Sequence, residues 1–154
     1  SRFTLFWCIS HRIIPTEVFL QSFGIHICSR CHMCNQHRED VNHPFLSCAI
    51  AATLKDYIRD IFCCRWLIFE SIISQLHHCI DFDSSQQIKN LFLAAVAELL
   101  HVIWYDRNSF ISNNCSFKIN AGRDQILISI GETTLNQKVY FDYSVEDFQI
   151  LHRL

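Results

Sequence analysis

Four residues constrain this chain more than any other feature: Cys31, Cys34, His43 and Cys48. They follow the spacing Cys-x2-Cys-x8-His-x4-Cys. Three thiolates and one imidazole form the tetrahedral ligand set that Zn²⁺ prefers, and four protein ligands with no open position are typical of a structural site rather than a catalytic one. The spacing therefore predicts one structural Zn²⁺ holding a loop that has too few apolar side chains to build its own core.

The alternative interpretation is accidental clustering in a chain that is rich in these residue types. There are nine Cys and nine His among 154 residues, so that a Cys-x2-Cys pair arises by chance roughly 0.5 times in such a chain. Cys28 also forms a pair with Cys31 that overlaps the first one. The spacing alone leaves open which pair supplies the ligands.

The composition predicts a globular chain with a substantial core. Apolar residues make up 50% of it, aromatic residues 13% and charged residues only 18%, which excludes intrinsic disorder. The length of 154 residues suits one domain or a piece of a longer protein, and we expect the latter. Because so apolar a chain leaves apolar side chains on its surface, we also expect a partner or a neighbouring domain.

The charge is distributed unevenly along the chain. The net charge of −2 differs from that of a self-sufficient nucleic-acid binder, which is usually clearly basic. Residues 1–38, however, contain four Arg and a single acidic residue, Glu17. Any phosphate contact is therefore expected in this third, and the candidate residues are Arg12, Arg30 and Arg38.

The cysteine count and the hydropathy bear on the compartment. Nine Cys is an odd number, and without an export signal a reducing compartment fits better than a secreted disulfide framework. We therefore expect an intracellular protein of the nucleus or cytoplasm. The most apolar stretch, residues 91–105, is interrupted by Glu98 and His101 and is shorter than the ~20 residues that span a bilayer. No membrane segment is predicted.

Apolar periodicity predicts a mainly α-helical fold. A helical pair is expected at residues 3–11 and 17–23, the second helix starting after Pro15 and ending before Gly24, a residue that suits the C′ position. The cysteine loop follows this pair, so we expect a loop held together by the metal between the amino-terminal helical pair and a longer helical bundle.

Further helices are predicted after the loop. One starts near Cys48, a second covers residues 66–80, and a long one covers residues 85–111. The long helix is so broadly apolar that it should be central to its domain. The predicted apolar face of the first consists of Ile50, Leu54, Tyr57, Ile58, Ile61 and Phe62.

The carboxyl-terminal segment is uncertain. Residues 125–130 suit a helix or a strand, residues 138–143 favour a strand, and Gly131 weakens a continuous helix. The chain is accordingly divided into residues 1–80, a zinc-binding domain, residues 81–112, a long apolar helix packed on it, and residues 113–154, an unassigned tail.

The order of several motifs resembles one known family, the zinc-binding domain of reverse transcriptases in plant LINE-type (non-LTR) retrotransposons. That family shows an aromatic segment with a "grlPT" turn, an "rGI" element, Cys-x2-Cys, an acidic residue, "H-L-F-x-x-C" and a helix. A "W-x-x-R-N" helix end often follows. The matching text here is FWCISHRIIPTE at residues 6–17, FGI at 23–25, EDVNHPFLSC at 39–48 and WYDRN at 104–108.

The resemblance implies Cys31, Cys34, His43 and Cys48 as the zinc ligands and leaves Cys28 in a variable position. It also implies a non-catalytic accessory domain whose partners are RNA or DNA and the upstream reverse transcriptase region. Two departures from the family text are Pro44, where Leu is usual, and Asn35, where Gly commonly follows the second Cys.

Several other residues have side chains that could bind a metal or a base. A second metal site is less favoured than buried thiols and surface histidines, and Cys8, Cys28 and Cys115 are interpreted likewise as buried thiols. For the W-x-x-R-N segment we favour a buried Trp104 anchoring a helix end, with Arg107 and Asn108 satisfying its terminal carbonyls, over base stacking. The candidate second site comprises Cys63, Cys64, His77, His78 and Cys79.

Catalysis is not expected of this chain. A polymerase needs paired carboxylates that bind two metal ions, and Asp142 lacks an adjacent second aspartate. No local nucleophile motif surrounds a Cys. The sequence thus favours a zinc-binding accessory domain that assists nucleic-acid binding, with no small-molecule substrate. The alternatives are a protein-interaction or scaffolding module and a decayed retroelement fragment that binds no nucleic acid.

Overall fold

The fold is built from α-helices throughout the described residues, 2–27, 30–64, 69–113, 115–136 and 150 of this computed structural model. Within these ranges there is no strand, and the pairing of Arg30 with Arg38 is an isolated antiparallel bridge. The prediction of a mainly α fold is confirmed there. The helices are α1 (Arg2–Ser10), α2 (Glu17–Gln21), α3 (His43–Leu46), α4 (Ala49–Phe62), α5 (Ile72–Ile80), α6 (Gln86–Asn113) and α7 (Ile119–Asn136).

Three predictions fall on residues outside the described ranges. They are the strand at residues 138–143, the position of Cys28, and the first part of the helix predicted for residues 66–80. The division of the chain into residues 1–80, 81–112 and 113–154 also stays a prediction.

Helix α6 is the centre of the protein. It packs against α1, α3, α4, α5 and α7, as its broad apolar surface predicted. By length and composition α6 could cross a membrane, with a mean hydropathy of 1.4 over an 18-residue window, but 56% of that window is buried inside the protein. One stripe of apolar residues on α6 is buried, namely Ile88, Leu91, Phe92, Ala95, Leu99, Val102 and Ile103. These contacts favour a core helix over a membrane span.

The turn from α2 into the cysteine loop forms as predicted. The Thr16 hydroxyl accepts a hydrogen bond from the Phe19 N–H at the start of α2, which satisfies one of the free donors of a first helical turn. At the other end Gly24 has φ +79°, and the N–H of Ile25 bonds to the carbonyl of Leu20. This is the Schellman arrangement that a C′ glycine allows.

Two expectations about helix extent are wrong. In the described part of the range 66–80, residues 69–71 are not helical and the helix begins at Ile72, where the Ser71 hydroxyl caps it by accepting from the Ser74 N–H. Conversely, α7 runs without interruption through Gly131. Packing of α7 on α6 and α4 outweighs the low helix propensity of one glycine, which amounts to about 1 kcal/mol.

Helix α7 approaches the core most closely near its amino-terminal end. A Cβ placed on Gly122 would lie 3.0 Å from Cγ1 of Val102 and 3.5 Å from Cδ1 of Leu54. The absence of a side chain at this position therefore lets three helices meet. The central bundle in turn provides the rigid surface on which the cysteine loop rests.

Candidate metal centre

The four predicted ligands come together in one small site. Cys31 and Cys34 lie in a tight turn, His43 is the first residue of α3, and Cys48 immediately precedes α4. Their four ligand atoms all lie within 4.8 Å of one another. The Sγ atoms of Cys31 and Cys48 are 4.0 Å apart, and Sγ of Cys34 is 3.3 Å from Nε2 of His43.

These separations suit a tetrahedral zinc ion. Zn–S bonds of about 2.3 Å and Zn–N bonds of about 2.0 Å at tetrahedral angles put neighbouring ligand atoms roughly 3.5–3.8 Å apart. Cys31, Cys48 and His43 are buried and Cys34 is half-buried. Four soft or borderline donors in a closed, largely buried site fit one structural Zn²⁺ and leave no open position for a substrate.

The Cys31–Cys34 turn is held by backbone hydrogen bonds. The N–H of Cys31 bonds to the carbonyl of His37 at 2.7 Å, and the N–H of Asn35 bonds to the carbonyl of Cys31 at 2.8 Å. Asn35 has φ +55°, in the left-handed region that Gly and Asn tolerate best. Asn35 thus adopts a left-handed conformation at the position where the family that the chain resembles commonly has glycine.

His43 is oriented by contacts that do not involve a metal. Its Nδ1 lies 3.0 Å from the Ser47 hydroxyl, so that Nε2 is the nitrogen directed at the cysteines. A carboxylate oxygen of Asp40 accepts from the N–H groups of Asn42 and His43 at 2.8 and 2.7 Å. Pro44 stands in the first turn of α3, where its missing N–H removes no helical hydrogen bond. Such outer contacts fix the tautomer and direction of a metal-binding imidazole.

The pKa shifts of His43 and Cys48 favour the forms that bind metal, whereas the pKa shift of Cys31 favours the protonated thiol. Burial lowers the pKa of His43, with a further contribution from His37, and this favours the neutral imidazole that binds metals. The hydrogen bond that Cys31 donates lowers the pKa of Cys48, as do the backbone amides in the first turn of α4, while the pKa of Cys31 is raised. Without a metal, Cys31 thus keeps its proton beside Cys48, and binding of a divalent cation would release that proton.

A buried ion pair ties the cysteine loop to the central helix. Nε of Arg107 on α6 donates to Oε1 of Glu39 at 3.0 Å, and Nη2 bonds to the same oxygen. Glu39 is fully buried and Arg107 nearly so. The Arg107 guanidinium lies 4.8 Å from the centre of the Trp104 ring, and it also donates to Oδ1 of Asn108 at 3.0 Å.

This ion pair corrects the expectation for Arg107, which binds Glu39 rather than capping the carbonyls at a helix end. Residues 104–108 lie within α6, which continues to Asn113. Trp104 is half-buried and packs against the core, its ring 6.3 Å from that of Phe45. One signal in the sequence pointed to these two residues, because both lie in motifs of the family that the chain resembles: the acidic residue before the histidine and the W-x-x-R-N element.

The three arginines proposed for phosphate contact are all exposed. The structure brings Arg30 and Arg38 side by side through their antiparallel bridge. Arg12 lies in the turn after α1, where it adopts φ +55°. Within the described residues, the side chain of Arg38 contacts Gln21, at 3.4 Å, and no carboxylate.

The other cysteines form no metal group among the residues that the structure describes. Cys79 is buried and Cys64 half-buried, and burial raises the pKa of these thiols to about 12 and about 11. His77 and His78 lie on the helix surface, as predicted. Cys63 and Cys115 are exposed and Cys8 half-buried, so the expectation of buried thiols is wrong for the first two.

The fold and the site define a helical domain with a structural Cys₃His zinc centre. A family model described as zinc-binding in reverse transcriptase matches residues 2–54, about a third of the chain, and includes all four ligands. The match supports a zinc-binding domain associated with reverse transcriptases. No curated protein and no solved structure matches the chain significantly.

Proposed function

We propose that the chain is a non-catalytic accessory domain of a reverse transcriptase from a plant LINE-type, non-LTR element, and that it helps to hold RNA or DNA near the polymerase. The observation that carries this proposal is the position of two exposed arginines on the zinc-stapled loop itself. The family match is to a zinc-binding segment rather than a catalytic one, which is compatible with the absence of enzymatic activity that we expect.

The Arg30–Arg38 pair has the chemistry of a phosphate site. Residues directly opposite in an antiparallel pair have Cβ atoms about 4.5–5.5 Å apart, and like charges at this distance repel. A phosphate between the two guanidinium groups would relieve that repulsion and accept several charge-assisted hydrogen bonds. Arg30 directly precedes the ligand Cys31, and Arg38 follows the turn that contains Cys31 and Cys34. Zinc binding therefore fixes the backbone at both arginines.

The metal centre does not cancel this attraction. Three thiolates and Zn²⁺ sum to one negative charge, but Lys55 lies close enough to Cys48 for their charges to interact, and its ammonium group donates to the carbonyl of Leu46. Burial lowers the pKa of Lys55 while the neighbouring negative charges of Asp56 and Cys48 oppose that shift. The lysine therefore places a positive charge near the metal site.

A salt-dependent anisotropy titration tests the proposal. The zinc-loaded chain is titrated into labelled single-stranded RNA and DNA at several salt concentrations, and the double variant Arg30→Gln/Arg38→Gln is compared with it. We expect weaker binding and a salt slope smaller by about 1.5, because each phosphate contact contributes roughly 0.7–0.9 to that slope. Arg12→Gln tests the third candidate separately.

Arg59→Gln is the matched control. Arg59 is also exposed, but it lies at the end of α4 and pairs with Asp56 and Asp60. We expect this variant to bind like the unchanged chain. Absence of binding at low salt, or an equal loss in the control, would overturn the nucleic-acid part of the proposal.

A protein-interaction module is the second candidate function. An apolar groove of about 460 Å³ lies between α1, α5 and α6. The partner we would expect is the upstream reverse transcriptase region. Co-purification with that region, unaffected by salt and abolished by Leu93→Asp in the groove, would favour this candidate. The groove is lined mainly by Phe6, Ile73, Leu76, Ile80, Leu93 and Val96.

A further inference from the structure

We propose that a second pocket, between α1 and α6, binds a single unstacked base of a single-stranded nucleic acid. This inference rests on the proposed nucleic-acid function and adds to it a recognition site that is separate from the paired arginines. The pocket has a volume of about 220 Å³, roughly that of seven water molecules in the liquid. That space suits one flat ring system rather than a folded stretch of several nucleotides.

Rigid elements form both walls of this base pocket. Thr4, Leu5 and Cys8 project from one face of α1, and residues 101, 104, 105 and 108 form one stripe on α6. The spacing of that stripe is i, i+3, i+4 and i+7, which places the four side chains on the same helical face. Ile14 and Pro15 close the pocket from the turn that follows α1.

The lining combines an apolar floor with polar groups at the edge. Leu5 and Ile14 are buried and form the floor. Oδ1 of Asn108 accepts from Arg107 at 3.0 Å, so its NH₂ group is directed elsewhere and is available as a donor. Nδ1 of His101 lies 3.5 Å from Oε1 of Glu98 and has no hydrogen-bond partner among the described residues. Flat heterocycles with polar edges need this combination.

An exposed aromatic ring stands at the rim. Tyr105 is 59% exposed although it lies on the central helix of the protein. Its ring lies 6.3 Å from that of His101 at an interplanar angle of 31°. Every base has a π-face, so an exposed tyrosine beside a small pocket offers a stacking platform that does not depend on sequence. Core packing does not explain why this ring is presented to solvent.

The electrostatic surroundings admit a polyanion. The buried carboxylate of Glu98 is paired with Arg2, Oε2 to Nη2 at 2.6 Å, so that its negative charge is neutralised. Arg12, two residues before the pocket-lining Ile14, is exposed and adds a positive charge to this turn. A phosphate attached to the bound base would therefore meet a net positive region.

The base pocket and the paired arginines are connected by the structure. Arg38 precedes Glu39, and Asn108 follows Arg107, so the buried ion pair between Glu39 and Arg107 brings the two sites to the same end of α6. A short single strand can thus place phosphates at the zinc loop and a base in the pocket. The two contacts act through different chemistry and are separable by experiment.

Anisotropy titrations with two kinds of strand test the inference. A short single-stranded RNA, the DNA of the same sequence, and versions of both with abasic residues are titrated with the zinc-loaded chain and with Tyr105→Ala. We expect Tyr105→Ala to weaken binding of the intact strands by about 5- to 100-fold, the range of one lost stacking contact. Abasic strands should bind weakly and equally to both proteins, and Tyr105→Phe should restore the affinity.

The controls separate this inference from the proposed function. Ile128→Ala removes an equally exposed apolar side chain on α7 and should leave binding unchanged, and circular dichroism checks that each variant is folded. If abasic strands bind as tightly as intact ones while Arg30→Gln/Arg38→Gln still abolishes binding, the pocket is wrong and the nucleic-acid function stands. If no strand binds at all, both are wrong.

Discussion

At the scale of single residues, the metal centre depends on side chains that never touch the metal. Ser47 fixes the His43 ring, Asn35 supplies the left-handed turn, and Asp40 holds the start of α3. These residues set the positions of the donors before an ion arrives. Loss of any of them should therefore be measurable as a loss of metal affinity rather than as a loss of the fold.

Ser47→Ala should reduce zinc affinity by about 10- to 100-fold, the usual effect of removing an outer partner of a ligating histidine. The His43 ring would lose the hydroxyl at Nδ1 and with it a fixed tautomer. Competition with a chromophoric chelator measures the change, and the variant should fold normally at saturating zinc. Ser10→Ala, in which an exposed serine on α1 is lost, should have unchanged affinity; equal affinities in both variants would contradict the role of Ser47.

The Glu39–Arg107 pair should be strongly coupled. Glu39→Gln or Arg107→Gln leaves the other charge buried without its partner, which costs about 3–5 kcal/mol. The double variant should cost clearly less than the sum of the two single variants, as measured by urea denaturation in zinc-containing buffer. Additive losses would mean that the pair acts only through separate packing contacts. Arg59→Gln, which breaks exposed pairs, should cost less than about 1 kcal/mol.

The sequence predicted the ligands but not this ion pair, for a physical reason. Cys31, Cys34, His43 and Cys48 lie within one short loop, so their spacing predicts a metal site, and the family resemblance selects the Cys31–Cys34 pair over the overlapping Cys28–Cys31 pair. Glu39 and Arg107 are 68 residues apart, and local patterns say nothing of which buried charges meet across a fold. The side-by-side position of Arg30 and Arg38 was likewise inaccessible, because it depends on a bridge created by the turn.

At the scale of helices, local chemistry determined the ends and tertiary packing determined the extent. Thr16 caps the start of α2 and Gly24 ends it, and both contacts lie within one helical turn, so the sequence predicted the two ends of this helix. Helix α7 has no consistent apolar face, and its stability comes from contacts with α6 and α4. The sequence therefore left residues 125–130 undecided between helix and strand.

The two glycines of α7 provide a matched test of this packing. Gly131→Ala should stabilise the protein by about 0.5–1 kcal/mol, because nothing lies within 4 Å of the added Cβ and alanine is the better helix former. Gly122→Ala gains the same propensity but pushes against Val102 at 3.0 Å. Thermal unfolding should show a higher Tm for Gly131→Ala than for the unchanged protein, and a clearly lower Tm for Gly122→Ala than for Gly131→Ala. Equal shifts in the two variants would show that α7 is not closely packed at Gly122.

At the scale of the whole molecule, metal binding should reach beyond the loop that contains the ligands. Structural zinc contributes its binding energy directly to folding, and the Glu39–Arg107 pair passes part of that stability to α6. The chain should bind one Zn²⁺, and Cys31→Ser should lose it. The protein is thus expected to unfold in two coupled parts rather than as a loop detached from a bundle.

Removal of the metal by EDTA tests this coupling. Hydrogen exchange should show lost protection at residues 30–48 and reduced protection at residues 104–110 of α6. The distal half of α7, residues 126–136, serves as the internal control and should change least. Unchanged protection at residues 104–110 would mean that the loop and the central helix are energetically independent.

The buried ion pair between Glu39 and Arg107 also limits where this chain can be truncated. The family match ends at residue 54, yet the cation that neutralises the deepest acidic group of that segment is supplied more than fifty residues later. A chain truncated after the matched segment would retain every zinc ligand and still bury an uncompensated carboxylate. The segment that matches the family model is therefore shorter than the segment that must be expressed to obtain a stable protein.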